Sequence, residues 1–81
     1  MKNSVFVLFW CDLHHTQESK RIAGIFENFE EAFKGANQLA KTSREGRISI
    51  DDNLLLTRLK QTQDRSENYI IEEWEINKLI K

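Results

Sequence analysis

Apolar residues of the chain concentrate in three short runs that polar stretches separate. The runs are Val5 to Trp10, Ile22 to Phe26 and Tyr69 to Ile76. Each run is shorter than a typical helix and rich in β-branched and aromatic residues, so the pattern predicts three strands. Because the first run is apolar at both parities, we expect it to be buried on both faces, at the centre of a sheet.

After the second run, the spacing of apolar positions becomes helical. Asn28 suits an N-cap, and Glu31 three residues later stands in the capping-box position. The apolar positions that follow form one stripe of an amphipathic helix. They are Phe29, Ala32, Phe33, Ala36, Leu39 and Ala40. We predict that this helix runs out around Thr42 and docks its stripe on the sheet.

Two patterns fit the segment from Ile48 to Thr62. A helix begun by Ser49 would use the spacing of Ile50, Leu54, Leu55 and Leu59. A strand would instead alternate Leu54, Leu56 and Arg58. Good helix formers favour a short helix, although packing can override propensity. The polar stretch from Gln61 to Asn68 is predicted to be loop.

These elements predict one α+β domain over residues 1–81, with the order β-β-α-[short α]-β. A right-handed crossover places the last strand beside the first, giving a three-stranded antiparallel sheet of order 2-1-3 with one long amphipathic helix on one face. The polar connection from Asp12 to Ser19 joins the first two strands. Their predicted register pairs Phe6 with Phe26, Val7 with Ile25, Leu8 with Gly24, Phe9 with Ala23 and Trp10 with Ile22.

One sheet face in this register is unusually rich in large apolar side chains. A single helix covers only one face, so two interpretations remain open. Either the Ile48–Leu59 segment folds across the aromatic face, closing a three-layer core, or a second copy or another protein buries that face. Trp10 and Trp74 would then anchor the interface. The candidate association residues are Phe6, Leu8, Trp10, Ile22, Phe26 and Trp74.

Composition excludes several other classes. Twelve basic and thirteen acidic residues give a net charge of -1, and the basic residues are scattered among acids, so we do not expect nucleic acid as a partner. No apolar run approaches the roughly 18 to 20 residues that span a bilayer. The single cysteine allows no intrachain disulfide, which favours a cytoplasmic location. An export signal is not expected, because the first run is short and ends in Trp10.

Candidate chemistry is sparse. Cys11, Asp12, His14 and His15 form the only cluster of metal-ligand residue types, but one short loop seldom closes a site alone. We therefore predict no metal, no cofactor and no enzymatic activity. Adjacent strand carboxylates such as Glu72 and Glu73 point to opposite faces. Gly24 belongs to no phosphate-binding motif, and we expect it to give room beneath a large neighbour.

The three runs together resemble a family of small bacterial and phage proteins of unknown function. Three motifs carry the resemblance: Val5-Phe-Val-Leu8, Ile22-Ala-Gly-Ile-Phe26 with Phe29-Glu-Glu-Ala32, and Tyr69-Ile-Ile-Glu-Glu-Trp-Glu-Ile76. Phe6 replaces the family's usual tyrosine, and the stretch from Ser43 to Asn68 matches no part of the pattern. The resemblance implies a fold and an origin in a phage or mobile element, where small proteins often block a host complex; no functional residue is carried over.

The sequence therefore predicts a non-enzymatic protein-interaction module that self-associates or binds a protein partner through its aromatic face. The alternative is a domain that binds a small, nucleotide-like ligand. In that case the uncovered sheet face and the loop from Asp12 to Ser19 would form the pocket walls, and Trp10 would stack on the ligand.

Overall fold

The computed structural model describes residues 4–12, 14, 17–63 and 65–75 of the chain. Its three strands form one antiparallel sheet in the order β2-β1-β3, with two helices between the second and third strands. The α+β class, the antiparallel pairing and the strand order are those predicted. The elements are β1 Ser4–Asp12, β2 Arg21–Phe26, α1 Phe29–Ala40, α2 Ile50–Leu59 and β3 Glu67–Glu75.

The register between β1 and β2 is regular at one end and shifted at the other. The predicted pairs of Phe6, Val7 and Leu8 with β2 are confirmed. Beyond them the register shifts, so that Phe9 lies opposite Ile22 and Trp10 opposite Arg21. The predicted pairs Phe9 with Ala23 and Trp10 with Ile22 are therefore wrong. The reason is a β-bulge, in which Ala23 is the extra residue of β2.

Both helices begin at the predicted N-caps. The backbone N–H of Glu31 donates to Oδ1 of Asn28 at 2.8 Å, and the N–H of Asp52 donates to Oγ of Ser49 at 3.1 Å. The second segment is thus a helix, and its strand alternative is wrong. α1 has 12 residues and α2 has 10, so the two helices are similar in length, and the prediction of one long and one short helix is not confirmed in that detail. Neither described helix is long and apolar enough to cross a membrane.

The two helices pack on the same face of the sheet. We call it the helix face; it carries Phe6, Leu8 and Trp10. α1 meets it with a stripe of fully buried alanines, and α2 contributes Leu56 to the same core. Small helix side chains let the backbone approach the sheet closely, and the large strand side chains fill the remaining space. The interpretation that the Ile48–Leu59 segment packs on the aromatic face is thus confirmed. Because α1 lies on that face too, the predicted placement of the main helix on the opposite face is wrong, and so is the three-layer arrangement.

The last strand begins earlier than predicted. Glu67 and Asn68 already belong to β3, and Gln61 forms a bridge to Ile70, so the stretch from Gln61 to Asn68 is not all loop. The buried Asn68 amide explains the early start, because it donates to the carbonyls of Asp12 at 3.1 Å and Arg65 at 2.9 Å. These bonds fix the strand end against β1. Ile76, the predicted last residue of the strand, lies outside the described residues.

Candidate interaction surface

The six predicted association residues do not share one exposed face. Leu8 is only 2% exposed and belongs to the core, while Phe6, Trp10 and Phe26 are half-buried against it beneath the helices. Only Ile22 and Trp74 remain exposed, at 54% and 45%. The exposure on which the predicted association face depended is thus absent, because the alanine stripe of α1 occupies that face.

Trp74 lies on the opposite side of the sheet, which we call the second face. It is the face of Val7, Phe9 and Cys11, all three buried although neither described helix packs there. The Trp74 ring contacts that of Phe9, with 5.9 Å between centroids. The ammonium group of Lys20 lies 4.3 Å from the centroid of the Phe9 ring, which adds a cation–π contact.

A short ion pair crosses the second face. Nζ of Lys20 lies 2.7 Å from Oε2 of Glu72, and the indole N–H of Trp74 donates to Oε1 of the same carboxylate at 2.9 Å. The Lys20 bond, with the Trp74 bond after it, lowers the pKa of Glu72 below its usual 4.5. Glu72 is therefore a charged residue among apolar ones on this face, and its carboxylate is paired.

The outer edge of β2 is the surface best suited to association. We call it the edge surface: the strand Arg21–Phe26 with its exposed side chains. Among the described residues β2 pairs with β1 alone, since it ends the strand order. Ile22 is 54% exposed and Ile25 is 61% exposed, and Arg21 is the strand's only charged residue. An apolar strand edge with unpaired backbone groups is a template for another strand.

The other edge of the sheet is protected. Backbone N–H groups bond across it, from Thr62 to the Tyr69 carbonyl at 2.9 Å and from Ile71 to the Lys60 carbonyl at 2.8 Å. Farther along, β3 carries Glu72, Glu73 and Glu75, and charge on an edge strand discourages pairing. The two edges of the sheet therefore differ, and β2 is the one that the described part of the chain leaves open.

An apolar groove runs beside the edge surface, between β2 and α1. It consists of two adjoining clefts of about 350 and 430 Å³ that share Ala23, Leu39 and Thr42. The first cleft extends to Trp10 and Arg21, and the second extends to Leu8 and Phe26. Any strand that pairs with β2 would place alternate side chains at the mouth of this groove.

The Trp10 indole lines the first cleft. Its N–H donates to Oε1 of Glu67 at 3.0 Å, and Oε2 of the same carboxylate accepts the backbone N–H of Arg44 at 2.8 Å. The guanidinium of Arg21 lies 5.7 Å from the ring centroid. Trp10 is thus fixed at its polar edge, and the face toward Arg21 already has a cationic neighbour.

The predicted metal-ligand cluster does not assemble in the part that the structure describes. No group of three histidine, cysteine or acidic side chains placed to hold a metal occurs among the described residues, and His15 lies outside them. Burial, with a smaller effect of Asp12, raises the pKa of the Cys11 thiol. A raised pKa disfavours the thiolate, the form that ligates metals and attacks electrophiles.

Two features escaped the sequence analysis. On α2, Ile50 is 80% exposed and Leu54 is 52% exposed, which forms a second apolar patch. The sequence predicts that Arg65 is one of the scattered surface cations, yet it is 4% exposed and pairs with Asp52 and Glu45, both at 3.2 Å. It also donates to the carbonyls of Arg47 and Glu67 at 3.0 Å. No local pattern marks this residue, because three of its four partners, Glu45, Arg47 and Asp52, come from an earlier part of the chain.

Comparison of the chain with protein-family models, with curated proteins and with solved structures gives no match.

Proposed function

We propose that the chain is a non-enzymatic protein-interaction module that associates through the edge surface. The observation that carries the proposal is the apolar strand β2, with Ile22 and Ile25 more than half exposed at an edge that the described residues leave unpaired. The partner contributes a strand, either from a second copy or from a different protein.

Strand addition explains why the edge and the groove occur together. The backbone of an added strand would bond to the free N–H and carbonyl groups of β2, which supplies affinity with little dependence on sequence. Its side chains would alternate between the two faces of the sheet, so that one set meets the groove beside Ala23 and Leu39. The other set would pack beside Ile25 on the second face and supply further apolar burial.

The state of the reactive side chains supports a non-enzymatic function. Glu72 is held by Lys20, and Asp52 is paired with the buried Arg65. Cys11 is buried as a thiol. None of these three groups lines the groove, and the carboxylate that does, Glu67, accepts the N–H groups of the Trp10 indole and the Arg44 backbone.

Site-specific cross-linking in the cells that make the protein tests this proposal. One variant carries a photo-cross-linking residue in place of Ile25, and the matched control carries it in place of Ile50, which is also an exposed isoleucine. We expect a protein adduct of discrete mass from position 25 and none from position 50. Adducts from position 50 alone would place the interface on α2 and contradict the proposal.

A second candidate function is binding of a planar anionic ligand such as a nucleotide. The observation in its favour is the cleft of about 350 Å³ in which Trp10 and Arg21 lie together. Titration with adenosine triphosphate, followed by the NMR signal of the Trp10 indole N–H, tests it. Saturable shifts that Arg21→Gln weakens would support this function, and an unchanged signal at millimolar ligand would exclude it.

The resemblance adds the further proposal that the protein comes from a phage or mobile element and inhibits a host complex in the cytoplasm. The cross-linked partner would identify such a complex directly.

A further inference from the structure

The charges at the two ends of the edge surface have opposite sign. Arg21 stands at the beginning of β2, preceded by Lys20, which is paired with Glu72 on the second face. Glu27 follows its last residue, and Glu30 and Glu31 lie in the first turn of α1. Arg21 and Glu27 are exposed, so a strand that approaches the edge meets both charges, whereas Glu30 is paired with Lys34 at 3.7 Å. The edge is basic at one end, apolar along its length and acidic at the other end.

We propose that the partner of the edge surface is a second copy of this chain, paired antiparallel along β2. The inference rests on the proposed function and names its partner. Antiparallel pairing of two identical strands about a two-fold axis brings the basic end of each copy to the acidic end of the other. Parallel pairing would instead place like charges together. The dimer contains two equivalent contacts between Arg21 and Glu27, and its sheets join into one of six strands.

The apolar part of the edge is self-complementary as well. Gly24, Ile25 and Phe26 pair regularly with β1, so their backbone keeps the pleat that a second strand needs. The Phe26 ring covers Gly24, and Ile25, which is 61% exposed, gains cross-strand contacts. With Arg21 opposite Glu27 the pairing is centred on Gly24, so Ile25 of each copy lies opposite Ala23 of the other, and the bulge at Ala23 keeps the ladder short. The interface is therefore small, and we expect a dissociation constant of about micromolar or weaker.

A charge exchange between the two ends tests the pairing. Arg21→Glu makes both ends of the edge acidic, and Glu27→Arg makes both ends basic. Each variant alone converts two attractive contacts of the dimer into two repulsive ones. An equimolar mixture of the two variants restores both attractive contacts in a heterodimer, as does the double variant Arg21→Glu/Glu27→Arg in a homodimer. Arg58→Glu, at an exposed position on α2, is the control for the same charge change.

The readout is the mass at increasing concentration by sedimentation equilibrium at low salt, with circular dichroism to confirm folding. We expect a wild-type dimer that Arg58→Glu leaves unchanged. Each single variant should weaken dimerisation roughly ten- to a hundredfold, and the mixture and the double variant should recover it.

Three results would overturn the inference: a wild type that stays monomeric at millimolar concentration, a dimer unaffected by either charge reversal, or single variants whose mixture fails to recover. The cross-linking experiment separates this failure from failure of the proposed function. An adduct of Ile25 with a different protein would keep the edge surface and exclude the second copy. Absence of any adduct at position 25 would contradict both the edge surface as the interface and its pairing with a second copy.

Discussion

Replacing Gly35 with alanine sets two opposing effects against each other. Gly35 lies within α1, where alanine is favoured over glycine by about 1 kcal/mol. A Cβ at this position would, however, lie 2.6 Å from Cζ of Phe26, because the Phe26 ring lies against α1. The ring also lies against Gly24, where a Cβ would be 2.8 Å from Cε2. The gap beneath Phe26 predicted for Gly24 is confirmed, and Gly35 forms its other side.

The size of the destabilisation follows from the overlap between the new Cβ and the Phe26 ring. A distance of 2.6 Å is far inside carbon–carbon contact, so the ring must leave its place between the two glycines. Overpacking of this kind costs about 1–3 kcal/mol, so Gly35→Ala should change stability by between about zero and 2 kcal/mol of destabilisation. Phe26→Leu removes the ring atoms that collide. In that background Gly35→Ala should stabilise by about 1 kcal/mol, which gives a coupling of about 1–3 kcal/mol.

Urea unfolding of the four proteins of this double-mutant cycle, followed by circular dichroism, measures the coupling. The wild-type stability should be about 4–12 kcal/mol for a chain of 81 residues, so an effect of this size is measurable. If Gly35→Ala stabilised both backgrounds equally, within about 0.5 kcal/mol, the Phe26 ring would not occupy the position described and the reasoning would be refuted.

Arg65→Lys should destabilise the fold by about 2–3 kcal/mol, because an ammonium cannot replace the forked bonds of a buried guanidinium. Arg58→Lys, at an exposed site, should change the free energy of unfolding little, and urea unfolding compares the two variants. The buried Tyr69 hydroxyl has no hydrogen bond of standard length among the described residues and only Ser43 near it, so Tyr69→Phe should change stability by no more than about 1 kcal/mol. Burial raises the pKa of Tyr69 above 10.0, which favours the neutral phenol in the folded state. The stability that this group supplies is therefore present below that pH and lost as pH rises past it. Thermal unfolding in alkaline buffer should show a smaller loss of stability for Tyr69→Phe than for the wild type. Lys20 lowers the pKa of Glu72 below 4.5, so the stability from this pair is present above that pH and lost as pH falls below it. Glu72→Gln should remove this loss, which the melting temperature measured at decreasing pH would detect. If the variant lost as much stability in acid as the wild type, the pairing would be contradicted.

The local elements could be predicted from the sequence because their signals are local. The caps at Asn28 and Ser49 and the alanine stripe of α1 depend on residues within a few positions of one another. Their geometry is therefore largely independent of the rest of the fold. The strand order followed from the apolar composition of β1 and the handedness of the crossover.

The sheet face on which the helices pack could not be predicted in the same way. Either face of β1 is apolar enough to receive a helix, and the choice depends on how alanines of α1 and large side chains of the sheet fit together in three dimensions. The bulge at Ala23 and the burial of Arg65 likewise arise from contacts between distant residues. For this reason the structure favours the β2 edge as the association surface, whereas the sequence predicted the aromatic face; Ile22 belongs to both.

Pairing of two copies along β2 is tested most directly by amide hydrogen exchange of the wild-type protein at increasing concentration, read residue by residue by NMR. A new strand ladder should protect N–H groups between Arg21 and Phe26 as the dimer forms, while the amides of α2 exchange at the same rate throughout. Protection that appears in α2 instead, or β2 amides whose exchange is unchanged across the dimerisation range, would contradict the pairing.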